Sequence, residues 1–307
     1  MNTYPLNIVT GAFGYIGKYI TQRLLKIGER VKTLTGYPNR PNPLGDQVVA
    51  APFNFDNPAE LTRSMEGAST LYNTYWVRFP YGQMTFQNAI QNTLTLIKSA
   101  KDAGLNRIVH ISITNPSEES PLPYFHGKAA VEKAIIQSGL SYAIIRPTVI
   151  FGDEDILINN IAWLLRRFPV FVIPDLGQYK LQPIYVEDVA DISVHAGHQI
   201  INSIIDAAGP ETYSYEDLVK IIRETIGNKA CIMYAPPGLA IFFSKILGFF
   251  VNDVILTREE IDGLMSGLLV SNTPPSGKTR FSDWIKQNAD TIGICYSSEL
   301  DRHYRRY

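Results

Sequence analysis

Hydrophobic and polar positions in the first half of the chain follow two alternating patterns. Short apolar runs, typical of buried strands, alternate with segments in which apolar residues recur every three or four positions, the helical period. The runs predict strands at residues 6–9, 30–34, 48–55, 70–75, 107–112 and 142–146. The periodic segments predict helices at residues 15–27, 58–65, 84–103 and 124–137. Regular alternation of this kind predicts an α/β domain with a parallel sheet and helices on both faces.

The pattern changes after about residue 150, where helices become more frequent. Helices are predicted at residues 156–167, 189–197 and 215–226, and strands at residues 182–186 and 203–208. We expect the strand at 182–186 to rejoin the main sheet. The sequence therefore predicts one large α/β domain built from two separate stretches, and a smaller helix-rich part.

The most apolar segment of the second half spans residues 239–251, interrupted by Ser244 and Lys245. It is shorter than the roughly 20 residues that a membrane-spanning helix needs. We interpret it as a buried helix of the smaller part. The alternative is a helix that lies in a membrane interface.

Composition narrows the class of protein. Of the 307 residues, 45% are hydrophobic and 19% are charged, which is enough apolar material for a folded core. Lys and Arg number 28 and Asp and Glu 29, a net charge of −1 that argues against nucleic acid as a main partner. Cys231 and Cys295 form no metal-binding or disulfide pattern and suit a reducing compartment. The first residues lack the pattern of a signal peptide, so we expect a cytoplasmic protein.

Three glycines lie between the first predicted strand and the first predicted helix. Gly11, Gly14 and Gly17 have the roles that a dinucleotide-binding turn requires: a tight turn, close approach of the backbone to a pyrophosphate, and close helix packing. The helix N-terminus would present free N–H groups to the phosphates. We predict that the contacts come from Gly11, Ala12, Phe13, Gly14, Tyr15, Ile16 and Gly17.

Tyr124 and Lys128 begin the helix that follows the fifth predicted strand. Their i, i+4 spacing places both side chains on one helix face. A phenol with a pKa of about 10 is a poor base at neutral pH unless a cation stabilises the phenolate. The pair predicts an acid/base tyrosine, tuned by the lysine, that serves a carbonyl/alcohol pair during hydride transfer.

Four segments resemble, in the same order, the extended and atypical branches of the short-chain dehydrogenase/reductase superfamily. They are the glycine loop, the Tyr-x-x-x-Lys pair, Arg146-Pro147, and the segment from Tyr185 through Glu187-Asp188. The chain is most similar to NAD-dependent epimerase/dehydratase-like proteins and to atypical members that are NmrA-like or related to a complex I accessory subunit. In those proteins the acidic pair caps a helix start and is structural.

The resemblance implies a Rossmann-type doubly wound parallel sheet. It assigns residues 1–152 plus about 182–210 to a dinucleotide-binding domain. A smaller helix-rich C-terminal substrate-binding part would comprise about 153–181 plus 211–307. The resemblance covers roughly the first 210 residues well and the remainder loosely.

The nature of the cofactor depends on the end of the second strand. NAD-binding folds usually place an acid there to bond the ribose 2′-OH. Here no acid appears before Asp46, and the nearby cations are Arg40 and Lys18, so we favour NADP, with NAD as the alternative. By position, the resemblance implies further cofactor contacts at the strand ends. The predicted contacts outside the glycine loop are Thr35, Arg40, Asn54, Phe55, Asn73, Thr74, Lys128 and Pro147.

The chain departs from the superfamily pattern at the end of the fifth strand. The usual hydroxyl position falls on Ile113, and Ser112 and Thr114 flank it as candidate donors to the substrate oxygen. Because neighbours in a strand point to opposite faces, not every hydroxyl can point inward. His110 lies mid-strand among apolar residues and is predicted to be a core residue. Candidate substrate contacts are Tyr75, Trp76, Arg78, Trp163 and Tyr179.

Two functions stay open. The first is an NADP-linked oxidoreductase or epimerase that acts on a small carbonyl or alcohol, and retention of Tyr124 and Lys128 favours it. The second is a non-catalytic NADP(H)-binding module with a sensing, assembly or structural role, which Ile113 and the apolar segment 239–251 favour. Many superfamily members form homodimers, and this chain could do the same.

Overall fold

The computed structural model describes residues 5–304, which contain thirteen strands and eleven α-helices. The strands are β1 (Leu6–Thr10), β2 (Arg30–Thr35), β3 (Val48–Pro52), β4 (Thr70–Asn73), β5 (Arg107–Ile111), β6 (Ser141–Pro147), β7 (Val149–Phe151), β8 (Val170–Pro174), β9 (Lys180–Leu181), β10 (Pro183–Tyr185), β11 (Ser203–Ala207), β12 (Tyr213–Ser214) and β13 (Cys231–Ala235). The helices are α1 (Tyr15–Lys26), α2 (Pro58–Met65), α3 (Phe86–Asp102), α4 (Pro123–Gln137), α5 (Leu157–Arg167), α6 (Val186–Gly197), α7 (Tyr215–Thr225), α8 (Pro237–Val251), α9 (Arg258–Met265), α10 (Phe281–Gln287) and α11 (Glu299–His303). The start of the chain, on which the signal-peptide prediction rests, lies partly outside the described residues.

Seven parallel strands form the main sheet in the order β11-β6-β5-β4-β1-β2-β3. Strand β1 lies between β2 and β4, with Ile8 opposite both Lys32 and Leu71. The strand order therefore reverses at β1, which places a switch point at the carboxyl ends of β1 and β4. Ligands of open α/β sheets bind at such a point. The predicted Rossmann-type fold is confirmed.

Helices cover the main sheet in two groups. Helix α3 packs between α2 and α4, and α1 packs against α6. The central strands β1, β4 and β5 are buried along nearly their whole length, as expected for a parallel sheet, whereas the edge strands β3 and β11 are partly exposed. One buried cluster joins alternate strand residues to the first helix group, and its members include Ile8, Leu34, Leu71, Ile108, Ile144, Leu61, Leu96 and Val131.

The chain divides into two compact units. The first consists of the chain up to Pro147 together with Val186–Ala207, and it contains the main sheet. The second consists of Thr148–Tyr185 and the chain from Ala208 onward. The second unit contains three two-stranded sheets, β7 with β10, β8 with β13 and β9 with β12. Its core includes Phe151, Leu181, Leu218, Phe281 and Trp284.

The prediction that residues 182–186 rejoin the main sheet is wrong. Strand β10 pairs in parallel with β7, in a separate two-stranded sheet. The main sheet is completed by β11, whose Ile204 lies opposite Ile144 of β6. Both segments are short apolar runs, and such a run does not specify its pairing partner, because the partner depends on contacts distant in sequence.

The buried-helix interpretation of residues 239–251 is also wrong. The segment is helical, as α8, but its buried residues are Ala240 and Gly248, whereas six of its large apolar side chains are exposed. Within residues 5–304, no helix combines the length and the apolar character needed to cross a bilayer. The two cysteines, Cys231 and Cys295, are exposed and unpaired.

Candidate functional site

The glycine loop joins β1 to α1 at the switch point of the sheet. Gly11 has a φ of +65°, a left-handed conformation that favours glycine. A Cβ atom at Gly17 would lie 2.2 Å from the carbonyl oxygen of Gly11, and one at Gly14 would lie 3.2 Å from the same oxygen. Gly11 therefore permits the tight turn, and Gly17 allows α1 to start directly against that turn.

Hydrogen bonds to β2 fix this loop in place. The Gly11 N–H donates to Leu34 O at 2.8 Å, and the Ala12 N–H donates to Thr33 Oγ1 at 3.0 Å. Thr33 Oγ1 in turn donates to Val9 O at 2.9 Å. The loop is thus held by backbone groups and one buried threonine.

The start of α1 fits the phosphates of a dinucleotide. Its N-cap residue, Gly14, provides no side-chain cap, and the first turn contains no acidic residue. The first N–H groups of a helix have no partner within the helix, so an uncapped first turn can donate to an anion. The loop residues therefore fit a dinucleotide cofactor.

Hydrogen bonds at the carboxyl ends of β1, β4 and β5 join three buried side chains. Thr10 Oγ1 donates to Asn73 Oδ1 at 3.2 Å, and Asn73 Nδ2 lies 3.0 Å from His110 Nδ1. Thr10 Oγ1 also accepts the N–H of Thr74 at 2.7 Å, and Thr74 Oγ1 donates to Thr10 O. The amide of Asn73, a predicted cofactor contact, is thus engaged inside the sheet.

This network could have been suspected from the sequence, because a polar residue lies near the end of each of three buried strands. His110 is fully buried, as predicted for a core residue. Burial, together with the nearby Lys128 ammonium, depresses the pKa of His110 well below its usual value. The histidine is therefore neutral at physiological pH.

Lys128 is fully enclosed on the inner side of α4. Its side chain is 3% exposed, and Nζ donates a hydrogen bond to Ile111 O at 2.8 Å. Nζ also lies 4.6 Å from the ring centroid of Trp76. Burial lowers the pKa of Lys128 to about 7, and the charge of Glu132 opposes that shift.

Tyr124 lies one turn before Lys128, near the start of α4. Its half-buried ring packs edge-on against Trp76 and against Phe86, with centroid distances of 5.9 Å in both cases. Tyr124 and Lys128 therefore share one neighbour, Trp76. The structure brings the predicted acid/base pair together around the indole of Trp76. The sequence indicated Trp76 only as a candidate substrate contact.

Gly127 makes room for the indole. A Cβ atom at Gly127 would lie 3.0 Å from Trp76 Cη2 and 3.3 Å from Ile90 Cδ1. The Trp76 Nε1 atom is buried and has no hydrogen-bond partner within residues 5–304. Sequence reasoning missed this contact because Trp76 and Gly127 are far apart along the chain.

An ion pair anchors α4 to β6. Arg146 Nε and Nη2 donate to the two carboxylate oxygens of Glu132, at 3.0 and 2.5 Å. Glu132 is buried, and this bond raises the pKa of Arg146. Glu132 lies one turn after Lys128, so the arginine of the Arg-Pro segment helps to position the lysine.

Ser112 and Thr114 continue the line of β5 beside β6. Their N–H groups donate to Ile145 O at 2.7 Å and Pro147 O at 3.0 Å. Both residues are buried, whereas Ile113 between them is partly exposed. Within the described chain, neither the Ser112 nor the Thr114 hydroxyl has a hydrogen-bond partner.

The remaining predicted cofactor contacts lie after β2 and β3. Thr35 Oγ1 accepts the N–H of Tyr37 at 3.2 Å, and the Arg40 guanidinium lies 4.1 Å from the Tyr37 ring centroid. Asn54 has a φ of +46°, and Phe55 stacks on Phe53. Their role in cofactor binding stays a prediction.

The candidate substrate contacts are distributed over both units. In the first unit, Tyr75 packs against Phe53 and Phe55 and accepts a hydrogen bond from Asn92 at 2.8 Å. Arg78 lies over the ring of Phe79. In the second unit, Trp163 packs against Phe168 and Tyr296, and Tyr179 stacks on Tyr215.

A parallel sheet with a glycine loop at its switch point defines a dinucleotide-binding α/β protein. The model of the NAD dependent epimerase/dehydratase family matches residues 7–205. The chain therefore belongs to this family, and the predicted resemblance is confirmed.

Two curated relatives are similar over most of the chain. The mitochondrial NADH dehydrogenase (ubiquinone) 1 alpha subcomplex subunit 9 of Arabidopsis thaliana is 26% identical, over 86% of this chain and 70% of the relative. The photosystem II assembly factor Ycf39 of Cyanidium caldarium is 24% identical, over 79% and 78%. The crystal structure of Citrobacter sp. triphenylmethane reductase complexed with NADP(H) has a similar fold. It superposes with a TM-score of 0.74 at 18% identity, over 92% of this chain and 99% of the reductase.

Proposed function

We propose that this chain binds NADP(H) at the loop Gly11–Gly17 and acts as an oxidoreductase or epimerase on a small carbonyl or alcohol substrate. The observation that supports catalysis is the placement of Tyr124 and Lys128 on one face of α4, both against Trp76. The uncapped, acid-free start of α1 supports phosphate binding.

The preference for NADP over NAD is supported by the segment after β2. No acid lies between Thr35 and Asp46, so a group that would select the ribose 2′-OH is missing there. Arg40, stacked on Tyr37, supplies a guanidinium suited to a phosphate. The similar reductase fold also contains NADP(H).

Each group of the proposed site would have its own role in the reaction. When bound, the nicotinamide would supply or accept the hydride. The Tyr124 hydroxyl would donate a proton to the carbonyl oxygen in reduction, or remove one from the alcohol in oxidation. Lys128 would stabilise the phenolate, and Ser112 or Thr114, whose hydroxyls are buried without a protein partner, would hold the substrate oxygen.

A second function, a non-catalytic NADP(H)-binding module, is favoured by the enclosure of Lys128. Its ammonium donates to Ile111 O and lies 4.6 Å from the Trp76 ring centroid, and the residue is 3% exposed, so little of it is open to a ribose. The names of the two relatives, a subunit and an assembly factor, also favour a role among protein partners.

Titration of the purified chain with NADPH and NADH tests the cofactor proposal. We expect NADPH to bind more tightly, and Arg40→Ala to reduce the preference about tenfold through loss of a charge-assisted contact. NADH binding that is at least as tight as NADPH binding contradicts the role of Arg40. Absence of binding by both contradicts the whole proposal.

Turnover distinguishes the two functions. A panel of small carbonyls and alcohols is screened with the wild type, with Tyr124→Phe and with Tyr142→Phe, a matched control at a tyrosine of β6. The catalytic function requires hydride transfer that Tyr124→Phe lowers by at least about 100-fold, the scale of general acid–base catalysis, and that Tyr142→Phe preserves. Cofactor binding without any Tyr124-dependent turnover assigns the binding-module function instead.

A cytoplasmic location and a homodimer are further parts of the proposal. The exposed thiols of Cys231 and Cys295 support a reducing compartment. Fractionation of cells and the molar mass of the purified chain test these two statements.

A further inference from the structure

Helix α8 turns its apolar side outward. Its exposed large side chains recur at the helical spacing, so they share one face, and small residues lie on the inner side. The outward set, which we call the α8 face, consists of Leu239, Phe242, Phe243, Ile246, Phe249 and Phe250. A Cβ atom at Gly248 would lie 2.6 Å from Asp253 O, so glycine at this position lets the turn after α8 lie directly against the helix.

Exposure is greatest at the C-terminal end of the α8 face. Phe249 is 84% exposed and Phe250 is 77% exposed. Contiguous exposed apolar patches on folded proteins mark surfaces that contact a partner or a membrane. The two adjacent rings protrude, as expected of side chains that enter a soft apolar phase.

Positive charge adjoins this face. Lys245 is the only charged residue in α8, and it has no ion-pair partner within residues 5–304. Lys245 and Arg258 line a surface groove of about 700 Å³ together with Ile241, Ile255 and Leu256. Cations next to apolar side chains suit an anionic phospholipid, which presents a phosphate beside acyl chains.

One acidic residue, Asp253, also lines the groove, but its carboxylate is engaged within the second unit. Asp253 Oδ2 accepts hydrogen bonds from Tyr296 at 2.9 Å and from the Glu299 N–H at 2.8 Å, and Oδ1 accepts the Leu300 N–H at 3.1 Å. Arg258 is paired with Asp262, with 3.8 Å between Nε and Oδ2. Lys245 is therefore the cation of this groove that has no ion-pair partner within residues 5–304.

A second copy of the chain fits this face less well. Lys245 lies at the border of the α8 face, next to the edge that Phe249 forms. Helix α8 contains no acidic residue, so the same helix of a second copy would offer this ammonium no partner. At an anionic bilayer the same charge is attractive.

We propose that the α8 face docks this chain on the surface of an anionic phospholipid bilayer. Phe249 and Phe250 enter the boundary between headgroups and acyl chains, and Lys245 faces the lipid phosphates. Helix α8 then lies in the membrane plane, as amphipathic interfacial helices do. This role goes beyond cofactor binding and does not depend on it.

Vesicle flotation of the full chain tests the proposal, with vesicles of phosphatidylcholine alone and with added phosphatidylglycerol. We expect the chain to float with the anionic vesicles and to be released by salt. Phe249→Ser with Phe250→Ser should lower binding by at least about tenfold through loss of buried apolar area. The matched control is Ile200→Ser with Ile201→Ser, an equally exposed pair at 90% and 77%, which should bind like the wild type.

A second variant tests the charge without touching the apolar side chains. Lys245→Glu should abolish the preference for anionic vesicles. Thermal unfolding and NADPH binding of every variant report on the fold. Failure of the wild type to float, or equal flotation of the phenylalanine variant, overturns the proposal. A wild-type dimer that the phenylalanine variant converts to a monomer, without vesicle binding, assigns the face to a second copy instead.

Discussion

The Nζ atom of Lys128 lies 4.6 Å from the ring centroid of Trp76 while it donates a hydrogen bond to Ile111 O. An ammonium in this position exchanges water for one carbonyl and one aromatic face. The carbonyl and the ring replace only part of the lost hydration, so the charged form is disfavoured. Burial therefore lowers the pKa of Lys128 to about 7.

The lowered pKa of Lys128 predicts a pH dependence of stability. Between about pH 7 and the usual lysine value, the unfolded chain holds a proton that the folded chain lacks, so the free energy of unfolding rises with pH. Lys128→Met removes this titration. We expect the wild type to gain about 1 kcal/mol per pH unit relative to Lys128→Met between pH 7 and 9. Urea unfolding at several pH values measures the difference, and parallel curves would contradict it.

The raised pKa of Asp155 predicts that the free energy of unfolding falls with rising pH, the opposite of the Lys128 effect and at lower pH. Its Oδ1 accepts the Ile158 N–H at 2.6 Å, Oδ2 has no partner within residues 5–304, and burial raises the pKa to about 7 despite hydrogen bonds from backbone N–H groups. Between about pH 4 and 7 the folded chain holds the extra proton. The free energy of unfolding should therefore fall as pH rises, by about 1 kcal/mol per pH unit relative to Asp155→Asn. Urea unfolding of both chains at pH 5, 6 and 7 tests this, and a constant difference would refute it.

Gly127→Ala should disturb the seat of Trp76. The added Cβ would lie 3.0 Å from the indole, which must shift, and we expect a loss of about 1–2 kcal/mol in the free energy of unfolding. Gly238→Ala in α8 is the matched control, because no atom lies within 4 Å of its added Cβ. The control should be neutral or slightly stabilising, since alanine favours helix. Denaturant unfolding with tryptophan fluorescence compares the two, and equal effects would count against the close contact.

Glu132→Gln should cost about 2 kcal/mol, because it removes the buried carboxylate that accepts two charge-assisted hydrogen bonds from the partly exposed Arg146. Glu118→Gln is the control, since Lys133 also donates to both carboxylate oxygens of Glu118, but that pair is exposed. Exposed pairs contribute at most about 1 kcal/mol. A double-mutant cycle with Arg146→Met isolates the coupling, and a coupling no larger than that of the exposed pair would be inconsistent with the proposed anchor.

Local signals predicted the glycine loop, the Tyr124–Lys128 pair and most elements of the first unit. Gly11 and Gly17 are specified by a turn a few residues long, and the i, i+4 spacing alone places the pair on one face. Contacts distant in sequence decided the remainder. Residues 182–186 form β10 outside the main sheet, and β11 completes that sheet. This pairing, like the position of Trp76 over Gly127, depends on contacts between residues that are far apart in the sequence.

Helix α8 illustrates the same limit. The spacing of Leu239, Phe242, Ile246 and Phe249 is visible in the sequence and predicts a helix with one apolar face. It does not state whether that face points to the core or to solvent. The outward direction became clear only from the burial of Ala240 and Gly248 on the opposite side.

The edge position of β11 has a consequence for the newly made chain. Strand β6 ends at Pro147, and its neighbour β11 is supplied by residues 203–207, after Thr148–Tyr185 has been made as part of the other unit. During synthesis, β6 therefore leaves the ribosome before β11 has been made. The backbone hydrogen-bonding groups on that edge of β6 stay unpaired until residues 203–207 emerge. Nascent strand edges of this kind promote aggregation, so the interval between the two strands is the period in which a chaperone would protect this protein most.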